Sequence, residues 1–350
     1  MTRLAIFRTY RLIWPNTILA ILVFSQFATN ASAHDLGVSS LNLNFSNQEL
    51  VIYSSYARAD LTALSNSAHI PIRKLAQRAI DIEVDGKKIK VESIGAFTDN
   101  ADGVVFEHNF GEFSGSSISI DSSLLRKLGR NHRQILTITR KDDKEYSRQI
   151  LRNDDGRVNL DLKNLQTPNS FGQFLALGIE HIIIGFDHLL FLLAFLLVAN
   201  KTREILGIIT FFTIAHSITL SLVTLNLVTV PDWIVEPIIA LSIIYVGIEN
   251  LLKREHNYRW LIAYAFGLIH GLGFASILRN LGIGSGWKTV SPLLSFNLGV
   301  EIGQIAIILL VLPILWKLQK SSAYENRIVP IGSILISIAG AYWLIERTLF

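Results

Sequence analysis

FLALGIEHIIIGFDHLLFLLAFLLVA, the stretch Phe174–Ala199, decides how this chain is to be read. An apolar run of about 17–25 residues is what a helix needs to cross a bilayer. A soluble core helix has no need of that length, and a plain membrane anchor has no need of Glu180, His181, Asp187 and His188 within it. Five comparable runs follow, at Ile205–Leu227, Val235–Leu252, Trp260–Leu278, Pro292–Leu315 and Ile328–Ile345. Together they predict an all-α, six-helix membrane bundle over residues 172–350.

Upstream the character changes. Arg3, Arg8 and Arg11, an apolar stretch Leu12–Phe27 and the small triplet Ala31-Ser32-Ala33 have the three-part pattern of a secretory signal over residues 1–33. Residues 34–168 then carry strand signals. Ser40–Phe45 alternates polar and apolar, and Asp85-Gly86 lies between Asp81–Val84 and Lys87–Val91 as a two-residue hairpin turn. Further strands are expected at Val104–His108, Ser117–Ile120, Gln134–Thr139 and Tyr146–Leu151, and a helix over Asp60–Ile80 broken at Pro71. The expectation is an extracytoplasmic β-sandwich-like domain with a helical insertion. His69, His108 and His132 are scattered through it and read as surface residues.

Orientation follows from the basic residues. With residues 34–168 outside, Lys201, Arg203, Lys253, Arg254, Arg259, Lys317, Lys320 and Arg327 all fall in inner loops, against Arg279, Lys288 and Arg347 outside. The positive-inside rule and the signal therefore agree on a multi-pass protein of the inner (plasma) membrane. A formal charge of +4 over 350 residues gives no reason to invoke nucleic acid. Gly282–Thr289 lacks phosphate-loop spacing and lies in an outer loop, so ATP is not expected.

The chemistry sits in the apolar runs. His216 and His270 lie inside the second and fourth, and Asn297, Glu301 and Gln304 form one stripe down the fifth. Each ionisable group deep in a span costs at least ~2.5–3.5 kcal/mol on insertion scales. Several in one bundle therefore point to a shared site. Helix rise puts Asp187, His188, His216, His270 and Glu301 near mid-membrane, and His181 ~10 Å nearer the outside. One ion could reach both His181 and His188 only if the helix deforms at Gly185. Otherwise His181 is an outer station with Glu180 or Glu236, and Asn297 and Gln304 are supporting polar groups. Glu249-Asn250 reads as an interhelical partner pair, and Gly267, Gly271 and Gly273 as close-packing positions. With no cysteine and one methionine, the donors are imidazole and carboxylate, which suit Ni²⁺, Co²⁺ or Zn²⁺.

His181-x5-Asp187-His188, with Gly185 two before the aspartate, resembles the first-span signature of the HupE/UreJ family. That family comprises membrane proteins linked to hydrogenase and urease maturation and regarded as nickel or cobalt permeases. The long exported domain is similar to that of the family's larger branch. The resemblance implies metal-binding roles for His181, Asp187 and His188, transport of a divalent metal, and metalloenzyme maturation proteins as partners. Part of a second signature is matched by His270-Gly271, while Ile182 stands where the family usually has proline. An alternative from another class uses the same residues. Three histidines and a water could form a zinc-dependent hydrolase site, with Asp187 or Glu301 as base and Ser217 polarising the oxygen.

Overall fold

The computed structural model describes residues 37–349, apart from 47–48, 66–71, 99–102, 129–130, 141–143, 156, 165–169, 200, 226, 253–257 and 280–286. The expected signal (1–33), Pro71 and His69 lie outside the described residues.

Alternation builds the N-terminal part. Strands β1 (Val38–Ser46), β2 (Glu49–Tyr56), β5 (Ser93–Thr98), β6 (Val104–Glu112), β8 (Arg133–Arg140) and β9 (Lys144–Arg152) form a six-stranded sheet in the order β5-β6-β2-β1-β8-β9. A four-stranded sheet has the order β10-β7-β3-β4, from β3 (Asp81–Val84), β4 (Lys87–Lys88), β7 (Ser117–Asp121) and β10 (Arg157–Asp161). The β1–β8 pair is parallel and its neighbours are antiparallel. Leu41, Leu43, Ile52 and Phe106 of the first sheet share one buried core with Ile82, Ile118 and Ile120 of the second. Two short helices, α1 (Arg58–Ser65) and α2 (Ile72–Gln77), interrupt the strands where a helical insertion was expected. The β3–β4 turn is the Asp85-Gly86 pair, both at positive φ (45° and 78°), as a two-residue hairpin requires. The Ser116 and Ser117 backbone N–H groups donate to the Asp85 carboxylate and hold its pKa below the usual value.

Two histidines overturn their surface reading. His108 shares the inward parity of Phe106 and Phe110 on β6 and is buried, with Nε2 2.8 Å from the Ala76 carbonyl. His132 is buried just before β8, Nε2 3.0 Å from Ser39 Oγ and Nδ1 3.7 Å from the Asp60 carboxylate. Burial lowers the pKa of both; in His132, burial and then the Arg133 charge bring it down to about 3.

The C-terminal part is helical. It comprises α3 (Ser170–Ile184), α4 (Phe186–Leu196), α5 (Thr202–Thr224), α6 (Asp232–Leu251), α7 (Arg259–Arg279), α8 (Trp287–Gln319) and, after a π-turn at Tyr324–Ile328, α9 (Val329–Leu349). Among the described residues four helices are long and apolar enough to cross a membrane, or five if α3 and α4, bent by 67°, count as one span. Leu309, Leu310 and Ile338 stand exposed on outward faces, as lipid contact requires.

The helices pack chiefly in pairs: α5 with α7, α3 with α8, and α6 with α9. Small residues permit the closest approaches. A Cβ at Gly178 would lie 2.0 Å from the Phe296 carbonyl oxygen, and one at Gly271 2.5 Å from that of His216. At the end of the bundle away from the sheets, Arg259 is buried rather than lying free in a basic loop. Its Nη2 donates to Glu249 at 3.0 Å and to Asn250, and its guanidinium lies 5.2 Å from the Phe195 ring centroid. Desolvation explains the pairing, since a buried guanidinium without acceptors would be costly. Glu249 and Asn250 are thus the interhelical partners expected of them; Asn250 also donates to the Ala194 carbonyl at 2.7 Å.

Sheets and bundle meet in a second core. Val38 and Ile135 are buried together with Phe174, Leu177, Phe296 and Val300. Beside it, Glu180 takes Arg133 at 3.0 Å and Arg152 at 3.2 Å, at the edge of a cavity of about 420 Å³ also lined by Gln173 and Ala176.

Candidate metal site

Gly185 makes the site possible. It is the residue between α3 and α4, with φ −68° and ψ 94°, and has no side chain to obstruct the turn. A Cβ there would lie 2.7 Å from the His181 carbonyl oxygen and 2.8 Å from His188 Nδ1. Because the span bends here, His181 is not left ~10 Å behind, as a straight helix would leave it. Its ring centroid lies 4.6 Å from that of His188.

The histidines of four helices gather around that bend. His188 is 5.0 Å from His270 and 6.2 Å from His216, and His181 is 6.0 Å from His216, centroid to centroid. All four are buried. Phe274 and Phe296 cover His181, while Phe191 and Phe212 pack on His270.

Hydrogen bonds assign the nitrogens. His188 Nδ1 lies 2.9 Å from Asp187 Oδ1, so the N–H belongs on Nδ1 and the lone pair on Nε2. The Ser242 hydroxyl donates to the Ile239 carbonyl and so accepts from His270 Nε2, 3.1 Å away. That leaves the lone pair of His270 on Nδ1, which is buried with no hydrogen-bond partner among the described residues. Neither ring nitrogen of His216 has one either. Buried nitrogens left this way cost about 1–3 kcal/mol each unless something binds them. An imidazole fixed by a second hydrogen bond to an oxygen, its other lone pair directed into a site, is the usual arrangement of a metal-binding histidine.

The rings meet mostly edge to face, and among the described residues no three His, Asp or Glu side chains are set to hold a metal ion as they stand. The remaining candidates are more dispersed. Glu301 is half-buried on α8 and joins none of these contacts. Asn297 donates to the Leu293 carbonyl, its buried Oδ1 has no partner among the described residues, and Gln304 accepts from Thr213 at 2.9 Å. Ser217 donates to the Thr213 carbonyl at 2.7 Å, an ordinary helix back-bond. Glu180 and Glu236 turn to arginines: Glu180 to Arg133 and Arg152, and Glu236 to Arg347.

One residue at the cluster escapes a sequence reading. Arg347 of α9 brings Nη2 within 3.6 Å of Asp187 Oδ2. Its place near the end of an apolar run suggests only topology, and nothing in its neighbours announces the contact. Below His188, a cavity of about 10 Å³ lined by Phe191, Phe195, Phe212 and Gln304 has room for about one water and none for a hydrated ion.

Residues 158–347 match the sequence family described as HupE / UreJ protein, which is more than half of the chain. Comparison with curated proteins finds no match.

Proposed function

Because the chain belongs to the HupE/UreJ family, we propose that it is a secondary permease for a divalent transition metal of the nickel–cobalt type. One observation carries the reading: four buried histidines and Asp187 converge at a break between two half-helices, and among the described residues His216 and His270 Nδ1 have no hydrogen-bond partner. Imidazole and carboxylate together favour Ni²⁺, Co²⁺ or Zn²⁺ over Mg²⁺ or Ca²⁺. The cavity beside Glu180 opens at the sheet end, and the space below His188 is closed to an ion, which suits a protein taking its cargo from that side.

On this reading residues 1–33 are a cleaved signal and 34–168 an extracytoplasmic β-sandwich. Residues 172–350 form six inner-membrane spans, α3 and α4 together making the first. The metal passes His181 and is held by Asp187, His188, His216 and His270 after modest ring rotations, with Glu301 balancing charge lower down. Protonating the histidines would weaken their hold, so a proton gradient can drive release. On the inner side, metalloenzyme maturation proteins are the expected recipients.

The test is ⁶³Ni²⁺ uptake into proteoliposomes holding the full chain, with and without an imposed pH gradient. Uptake that competes with Co²⁺ and drops at least tenfold in His188→Ala is expected. Gradient-independent uptake at the level of empty vesicles would end the permease reading.

A further inference from the structure

Asp187 divides its two oxygens between different partners. Oδ1 accepts from the His188 backbone N–H at 2.8 Å and lies 2.9 Å from His188 Nδ1, so it is committed to orienting that ring. Oδ2 faces Arg347 Nη2 at 3.6 Å. The Arg347 side chain is only 8% exposed, yet it reaches the outer rim: Nη1 donates to the Glu236 carbonyl at 3.0 Å, and Nε lies 3.9 Å from the Glu236 carboxylate. That carboxylate is 46% exposed and sits in the first turns of α6. A guanidinium does not lose its proton in a protein. Arg347 is therefore a permanent cation set between two carboxylates, one inside the histidine cluster and one at its mouth.

We propose that Arg347 is a tethered counter-cation that guards Asp187 Oδ2 until a divalent ion takes that oxygen, and that Glu236 is the seat to which it withdraws. The proposal rests on the permease reading. With Arg347 in place, the Asp187–Arg347 pair has no net charge, and the cluster attracts a monovalent cation only weakly. A divalent ion that also engages imidazoles can displace the guanidinium, whereas Na⁺ or K⁺ offers one charge for one charge and no affinity for nitrogen. Once a doubly charged ion sits on Oδ2, repulsion at a few ångströms in a poorly screened interior drives the guanidinium away. Glu236 is already close enough that a change of rotamer suffices and α9 need not move. Arg347 thus sets selectivity by competition without being a metal ligand.

Nickel titration calorimetry on the full chain in detergent tests this, using wild type, Arg347→Gln, Arg347→Lys and Glu236→Gln, with thermal melting of each as a fold control. Loss of the competitor should tighten Ni²⁺ binding about tenfold or more in Arg347→Gln. Arg347→Lys, which keeps the charge, should stay within a few-fold of wild type. Glu236→Gln removes the second seat and should weaken binding several-fold. A merely structural role would move Arg347→Gln the opposite way. Unchanged or weaker binding by Arg347→Gln in a wild-type fold overturns the proposal. Should that variant fail to fold, an unchanged affinity in Glu236→Gln overturns it instead. Wild-type protein that binds no nickel removes the permease reading and this inference together; nickel binding indifferent to both variants removes only this one.

Discussion

At the scale of single residues, His216 is where stability and function conflict. Both its ring nitrogens are buried without hydrogen-bond partners among the described residues, which costs the metal-free protein about 1–3 kcal/mol per group. His216→Leu should therefore raise the melting temperature of the metal-free protein while weakening nickel binding at least tenfold. Paired melting and calorimetry would show it, and a lower melting temperature would mean His216 is satisfied in some other way. Gly185 makes the complementary case. A methyl group there meets the His181 carbonyl at 2.7 Å and His188 Nδ1 at 2.8 Å. Gly185→Ala should leave the β-sheets intact and still lower nickel affinity tenfold or more, read by the same titration beside hydrogen exchange in β1 and β8. The histidine–carboxylate cluster was legible in sequence because a charge in an apolar run is expensive enough to demand a reason. The bend at Gly185 was legible only as a condition. Arg347 was not legible at all, because a basic residue near a helix end looks the same whether it faces lipid headgroups or turns inward onto Asp187.

Among the elements, β8 is placed under two constraints, and both can be tested. His132, at its start, has a pKa of about 3 in the folded chain against about 6.5 unfolded, chiefly through burial. A lowered folded value means that the unfolded chain binds the extra proton. The stability His132 allows is thus complete above pH 6.5 and is lost as pH falls toward 3, at about 1.4 kcal/mol per pH unit. His108 is shifted in the same direction and adds to the effect. Amide exchange in β1 and β8, corrected for intrinsic rates, should accelerate between pH 7 and pH 5, and less so in His132→Gln. Equal acceleration in both proteins would remove His132 as the cause. The second constraint is Arg133, whose nearly buried guanidinium depends on Glu180. Glu180→Gln should loosen the seating of β8 and β9 on α3 by about 1–2 kcal/mol, the figure reduced because Glu180 keeps some solvent access. Faster exchange confined to β8 and β9 is the expected signature. Sequence pattern found β1, β3 and β7, whose alternation is clean, and most of β6, β8 and β9, but passed over three others. Every residue of β5 is exposed, β10 is short and charged, and β2 runs from an alternating start into buried Ser54 and Ser55.

For the whole molecule, orientation is the claim most open to test. The chain has no cysteine, so any introduced thiol is a unique probe. Lys87→Cys on β4 and Lys320→Cys just beyond α8 are both at exposed positions. In intact cells opened only at the outer surface, a membrane-impermeant maleimide should label the first and not the second; the reverse pattern would invert the topology. The six apolar runs suggested separate spans, and length alone could not reveal that the first is two helices at 67°. Nor could it show that sheets and bundle are not merely tethered. Val38 and Ile135 are buried in the same cluster as Phe174, Leu177 and Phe296. The consequence concerns how the protein comes apart. Where two regions share buried side chains, neither can open without exposing the other, so they should melt in a single cooperative transition. A bundle expressed without the sheets would keep its spans but carry a raw apolar rim on its outer face, ready to stick to its neighbours. In a living cell the β-sheet region is then a finishing piece, and the bundle reaches its final form only after that piece has folded onto it.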